Sequence, residues 1–183
     1  YPKLFSTRRG DVDYWIENGI LVIEQKTTSA VVDVDNFNIE EDEKILISQP
    51  VGALLEVICS DAEISRIDGL LLASSQFSLI SQTGLFCSDS SHIEASRFSV
   101  ACTKNDPDGH HMVAVSQDRH GSLVLLEGSV VSSRIRIDAD CIYQGGTLCS
   151  DSQFGPGGYI ELFAEQCISL GNESVTSATA VES

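Results

Sequence analysis

Short apolar runs recur along the chain, each flanked by small or turn-forming residues. Residues 70–73 (Leu-Leu-Leu-Ala), 77–80 (Phe-Ser-Leu-Ile), 85–87 (Leu-Phe-Cys), 92–95 (His-Ile-Glu-Ala) and 98–101 (Phe-Ser-Val-Ala) follow one another closely. After an interruption come 112–115 (Met-Val-Ala-Val), 123–126 (Leu-Val-Leu-Leu), 135–137 (Ile-Arg-Ile) and 159–163 (Tyr-Ile-Glu-Leu-Phe). Runs this short predict strands, and self-similarity on a scale of about twenty residues predicts a stacked repeat. A four-residue strand buries little surface alone, so each coil needs the next coil as its core. The expected fold is all-β, a β-solenoid.

The flanking segments refine this picture. Asn18-Gly19 lies between the apolar runs 14–16 and 20–23, and both residues tolerate the positive φ of a tight hairpin turn. A hairpin here would cap the first coil, which otherwise offers an open edge. Residues 31–39 alternate apolar and polar side chains, residues 40–43 (Glu-Glu-Asp-Glu) form an acidic turn, and residues 44–48 form a further strand ahead of Pro50. The rhythm breaks at Asp106-Pro107-Asp108-Gly109, a turn signal, so residues 104–120 are expected to leave the stack as an excursion. Residues 143–148 and 155–159 read as glycine corners, and residues 174–180 as strand-forming with no stop. The chain is therefore expected to be a single domain, 1–183, with an N-terminal cap over about 1–30. It opens on Tyr1-Pro2-Lys3, and the expectation is the N-terminal part of a longer protein, processed or excised.

Composition narrows the function. A 42% hydrophobic content over 183 residues suffices for a core, and no apolar run approaches the roughly 20 residues of a membrane-spanning helix. The net charge of −16, from 27 acidic and 11 basic residues, repels phosphate backbones, so neither nucleic acid nor membrane insertion is expected. Cys59, Cys87, Cys102, Cys141, Cys149 and Cys167 are widely spaced without a paired metal-ligand pattern. Each sits in or beside an apolar run, which favours buried thiols, with disulfides as the alternative.

Several blocks occur in an order that resembles a known family. They are residues 29–39 (Ser-Ala-Val-Val-Asp-Val-Asp-Asn-Phe-Asn-Ile), 45–50 (Ile-Leu-Ile-Ser-Gln-Pro), 65–71 (Ser-Arg-Ile-Asp-Gly-Leu-Leu) and 77–86 (Phe-Ser-Leu-Ile-Ser-Gln-Thr-Gly-Leu-Phe). The segment from about Gln25 to Thr103 that holds them resembles the haemagglutination-activity domain, the N-terminal region of filamentous haemagglutinin-type exoproteins of two-partner secretion. Residues 157–164 are similar to the coils that extend such exoproteins. The resemblance implies a right-handed parallel β-helix with an N-terminal cap and extra-helical hairpins. It also implies export through an outer-membrane barrel transporter, and a secreted or cell-surface location reached through the periplasm. Where the family usually carries Asn-Pro-Asn-Gly, this chain has Ser81-Gln82-Thr83-Gly84. With Asn36, Phe37 and Asn38, these four residues are the candidate contacts for the secretion partner.

Enzyme chemistry finds no comparable support. His110, His111 and His120 could approach one another, but adjacent histidines on a strand point to opposite faces. Asp33 and Asp35 could pair on one strand face as glycosidase carboxylates do, yet Arg134 and Arg136 are remote in sequence. No cofactor, metal or catalytic residue is expected. The leading expectation is a non-enzymatic secretion and folding-nucleation domain of a large bacterial adhesin, with a host receptor left unspecified. A surface or periplasmic interaction module on the same scaffold is the alternative, followed by a carbohydrate-active β-helix.

Overall fold

A computed structural model of the chain describes residues 1–3, 5–60, 62–102, 121–151 and 158–179. Its strands are β1 (Ser6–Arg9), β2 (Val12–Glu17), β3 (Ile20–Gln25), β4 (Ser29–Val34), β5 (Lys44–Ser48) and β6 (Leu54–Cys59). They continue with β7 (Ser65–Ile67), β8 (Leu70–Ala73), β9 (Gln76–Ser81), β10 (Gly84–Cys87) and β11 (His92–Ala101). The last are β12 (Leu123–Leu126), β13 (Ser129–Gln144), β14 (Thr147–Cys149), β15 (Tyr159–Leu170) and β16 (Val175–Ser177). The described residues contain no helix, and all sixteen strands belong to one curled, mixed sheet. The expectation of an all-β chain therefore holds.

Within the sheet all strands but β1 and β2 fall into three parallel ladders. The first runs β3, β5, β8, the start of β11, the start of β13, β14 and β16. The second runs β4, β6, β9, the end of β11, the middle of β13 and the start of β15. The third runs β7, β10, β12 and the ends of β13 and β15. In the second ladder Leu55 aligns with Phe77, Phe77 with Phe98 and Phe98 with Ile135. One pair of predicted short strands is in fact continuous, since 92–95 and 98–101 both lie in β11. Ser96, which is skipped in the pairing with β13, marks the passage of the strand from one ladder into the next.

Alternation places one face of each ladder inside. Inward Ile23, Ile47, Leu71, Val57, Leu79, Val100, Leu85, Val124 and Ile142 come from all three ladders and join one buried cluster. Each such side chain stabilises the fold by about 1.5–3 kcal/mol relative to exposure. Phe37, Phe77 and Phe98 stack inside, with ring centroids 5.4 Å and 6.3 Å apart. At the turn between the first and second ladders, polar side chains repeat the stacking. The Gln49 amide donates to Gln25 Oε1 at 2.9 Å, and Gln25 donates to the Leu54 carbonyl at 3.0 Å. These bonds satisfy corner carbonyls that burial would otherwise strand.

Antiparallel strands occupy the N-terminal edges. β2 and β3 form the expected hairpin around Asn18 (φ 51°) and Gly19 (φ 76°), and β1 pairs antiparallel with β4. The N-terminal amine holds Glu43 at 2.8 Å, which ties the start of the chain to the acidic turn. At the opposite end, β15 pairs with β13 alone and β16 with β14 alone. Tyr159, Ile168, Leu170 and Val175 are exposed there.

The cysteines divide differently from the expectation of buried thiols. Cys59, Cys87 and Cys102 are buried, but Cys141 and Cys167 are register partners in the third ladder and form a disulfide. Both point away from the core, because inward Ile142 and Gln144 alternate with Cys141 and Tyr143. Burial, aided by the charge of Asp68, pushes the Cys87 thiol up to about 12. The predicted excursion, the strand at 112–115 and three of the four histidines lie outside the described residues.

Candidate functional site

The turn from the second ladder to the third brings the candidate recognition residues to one corner. Asn36, Phe37 and Asn38 follow β4; Ser81 ends β9, Gln82 and Thr83 come after it, and Gly84 opens β10. The two segments are not in direct register, because the turn from Ser60 to Ser65 lies between them. That turn links them: the Phe37 amide donates to Ser65 Oγ at 3.1 Å, and Thr83 Oγ1 donates to the Glu63 carbonyl at 3.0 Å.

Most of the corner is inward-facing. Phe37 is completely buried, with its ring 5.4 Å from that of Phe77. Asn38 Oδ1 accepts from the Arg66 amide at 2.8 Å, so this side chain replaces a ladder carbonyl. Ser81 is buried, and its Oγ accepts from the Gly84 amide at 3.1 Å, closing the turn. Gly84 has φ +128°, and a Cβ there would lie 1.9 Å from the Leu123 carbonyl oxygen. Only glycine fits. Of the seven residues, Gln82 is the exposed one, with Asn36, Asn38 and Thr83 half-buried.

Of the carboxylates considered for catalysis, Asp33 is engaged elsewhere. Asp33 takes a two-pronged ion pair from Arg8, with contacts of 2.6 Å and 3.0 Å, while Asp35 lies beyond the end of β4. His92 contacts Glu94 at 3.0 Å. Among the described residues, no group of three His, Cys, Asp or Glu side chains is arranged to hold a metal ion. Nor is any helix long and apolar enough to cross a membrane.

Sequence reasoning missed one arrangement. Arg134 and Arg136, remote from other basic residues in the sequence, stand beside Arg97 on the outer face of the second ladder, where Arg97 and Arg134 are register partners. The signal was the alignment of 97–101 with 134–138, which the interruption before residue 121 disguised.

Comparison with known proteins supports the fold. One solved structure, the crystal structure of the HMW1 secretion domain from Haemophilus influenzae, superimposes with a TM-score of 0.74 at 13% sequence identity. The chain shares that fold. The match covers 89% of this chain and 45% of that one, so the present chain spans less than half of the secretion domain's length. No family model and no curated protein sequence matches.

Proposed function

We propose that this chain is the export-directing and folding-nucleating N-terminal part of a large bacterial adhesin of the two-partner secretion type. In this reading the three ladders form a right-handed parallel β-helix, the handedness expected where parallel strands are joined by crossovers. The single observation that carries it is the shared fold with a secretion domain over nearly the whole chain. The family resemblance over about residues 25–103 points the same way.

The burial of the candidate contacts suggests how recognition and folding are coupled. Phe37, Ser81 and Gly84 are hidden in the folded chain, so an outer-membrane barrel transporter would read them before the ladders close. Once β1 and β2 sit on the N-terminal edges, each ladder step templates the next, because stacked repeats grow through nearest-neighbour contacts. Folding outside the cell buries the recognition residues and opposes return. The protein would then reside at the surface or in the medium, having passed through the periplasm.

The exposed disulfide and the basic strip favour a second reading, a surface interaction module that uses the same scaffold without a dedicated transporter. Capture distinguishes the two. The denatured chain, diluted onto immobilised periplasmic domains of barrel transporters from the native host, should bind one of them. The folded chain should bind at least tenfold more weakly. Equal binding of folded and unfolded chain, or none of either, would reject the secretion reading.

A further inference from the structure

The protein carries a net charge of −16, yet one outward strip of the second ladder is basic. β9, β11 and β13 present Gln76, Arg97 and Arg134 in one aligned column, and Ser78, Ser99 and Arg136 in the next. These side chains line a shallow groove of about 230 Å³. Arg134 and Arg136 share a single carboxylate, Glu161, at 2.9 Å and 3.7 Å. Arg97 is exposed and has no ion-pair partner among the described residues. Glu56, at the far margin, faces Arg9 at 4.0 Å.

Three guanidinium groups against one shared carboxylate is an unbalanced arrangement. Like charges placed directly opposite on neighbouring strands, as Arg97 and Arg134 are, destabilise the pairing. A bound anion would offset this repulsion. A guanidinium presents a planar fork of donors that matches a carboxylate in a two-pronged contact. Arg134 and Arg136 are already steadied by the rings of Tyr159 and Phe163, with centroid distances of 5.9 Å and 4.7 Å. Their orientation is therefore partly set before any ligand arrives.

We propose that this groove binds a carboxylated polysaccharide, one uronate unit engaging Arg97 together with Arg134 or Arg136. An acidic peptide fits less well, because β9, β11 and β13 are hydrogen-bonded along both edges and leave no main-chain groups for a peptide strand to pair with. Sugar hydroxyls instead meet the Gln76 amide and the hydroxyl pair of Ser99 and Ser78, 2.8 Å apart. Successive strands lie about 4.8 Å apart, close to the advance of one sugar ring along an extended polyuronate. The site is independent of the export proposal.

Titration of the folded chain with tetragalacturonate tests it, with a neutral glucose tetramer and tetraglutamate run alongside. Saturable binding to the uronate alone is expected, weakening as salt rises. Arg97→Gln, and the double replacement of Arg134→Gln with Arg136→Gln, should each lower affinity about tenfold, the loss of one charge-assisted hydrogen-bonded pair. Arg97→Lys, which keeps the charge and loses the fork, should fall between. Lys44→Gln, on the first ladder, should change nothing. Absence of saturable binding, equal binding of tetraglutamate, or full affinity in Arg97→Gln with an unaltered thermal transition would each overturn the proposal.

Discussion

Replacing Phe77 by alanine removes the middle ring of the internal aromatic stack. Phe77 is 1% exposed, and its ring faces Phe37 at 5.4 Å on one side and Phe98 at 6.3 Å on the other. Truncating a buried phenylalanine costs about 3–5 kcal/mol through lost transfer free energy and the cavity left behind. Two ring contacts are lost at once, at about 0.5–1.5 kcal/mol each, which places this site in the upper half of that range. The main-chain register pins Phe77 between Leu55 and Phe98, so neighbouring strands cannot close the gap. A loss of about 4–5 kcal/mol is expected in urea unfolding followed by circular dichroism, with Phe77→Leu losing about 1–2 kcal/mol. The control is Tyr159→Ala, on the outward face and 61% exposed, which should cost under about 1 kcal/mol. Equal losses at Phe77 and Tyr159, or a loss under about 1 kcal/mol at Phe77, would refute the inward and outward assignment of the second ladder.

Three further perturbations probe the corner, the cross-link and the end of the chain. Gly84→Ala forces a side chain into a positive φ and against the Leu123 backbone, and should cost about 3 kcal/mol or more in thermal unfolding, whereas Gln82→Ala, exposed beside it, should change stability by under about 0.5 kcal/mol. The Cys141–Cys167 bond closes a separation of 26 residues, for which chain entropy gives about 3.5 kcal/mol; the double serine variant should lose that amount in urea unfolding and match the reduced parent. Asp151 is held below the usual carboxylate range, first by the Thr179 amide and then by the Ser177 hydroxyl, both at 2.8 Å. Its depressed value means the anchoring is present above the ordinary carboxylate range and lost as pH falls through the lowered one, so the protection of the Thr179 amide, its hydrogen exchange taken relative to the intrinsic rate at each pH, should fall on acidification. In Asp151→Asn, whose neutral amide oxygen is the weaker acceptor, that protection should be reduced at neutral pH as well.

Much of this architecture was legible because its physics is local. Alternation marked β4, short apolar runs marked β8, β9 and β10, and Asn18-Gly19 named its own turn through two positive φ values. The family resemblance located the corner segments but not their burial, which depends on neighbours in the preceding and following ladder steps. Asn38, for example, reads as a polar loop residue until Arg66 supplies the amide it accepts from. The disulfide and the arginine strip were hidden for the same reason. Cys141 meets Cys167, and Arg97 meets Arg134, only once the register of the whole ladder is known. Interruptions of unequal length between steps shift that register, and no single window of sequence carries it.

Export itself is the most direct test. The chain should be produced behind a cleavable periplasmic leader, with and without the candidate barrel transporter, and followed in the medium by its disulfide-bonded, protease-resistant form. The account predicts release that requires the barrel and that falls at least tenfold when Gln82, Asn36 and Asn38 are replaced together by alanine. Release that is independent of the barrel, or undiminished by those replacements in a chain that still folds, would contradict it.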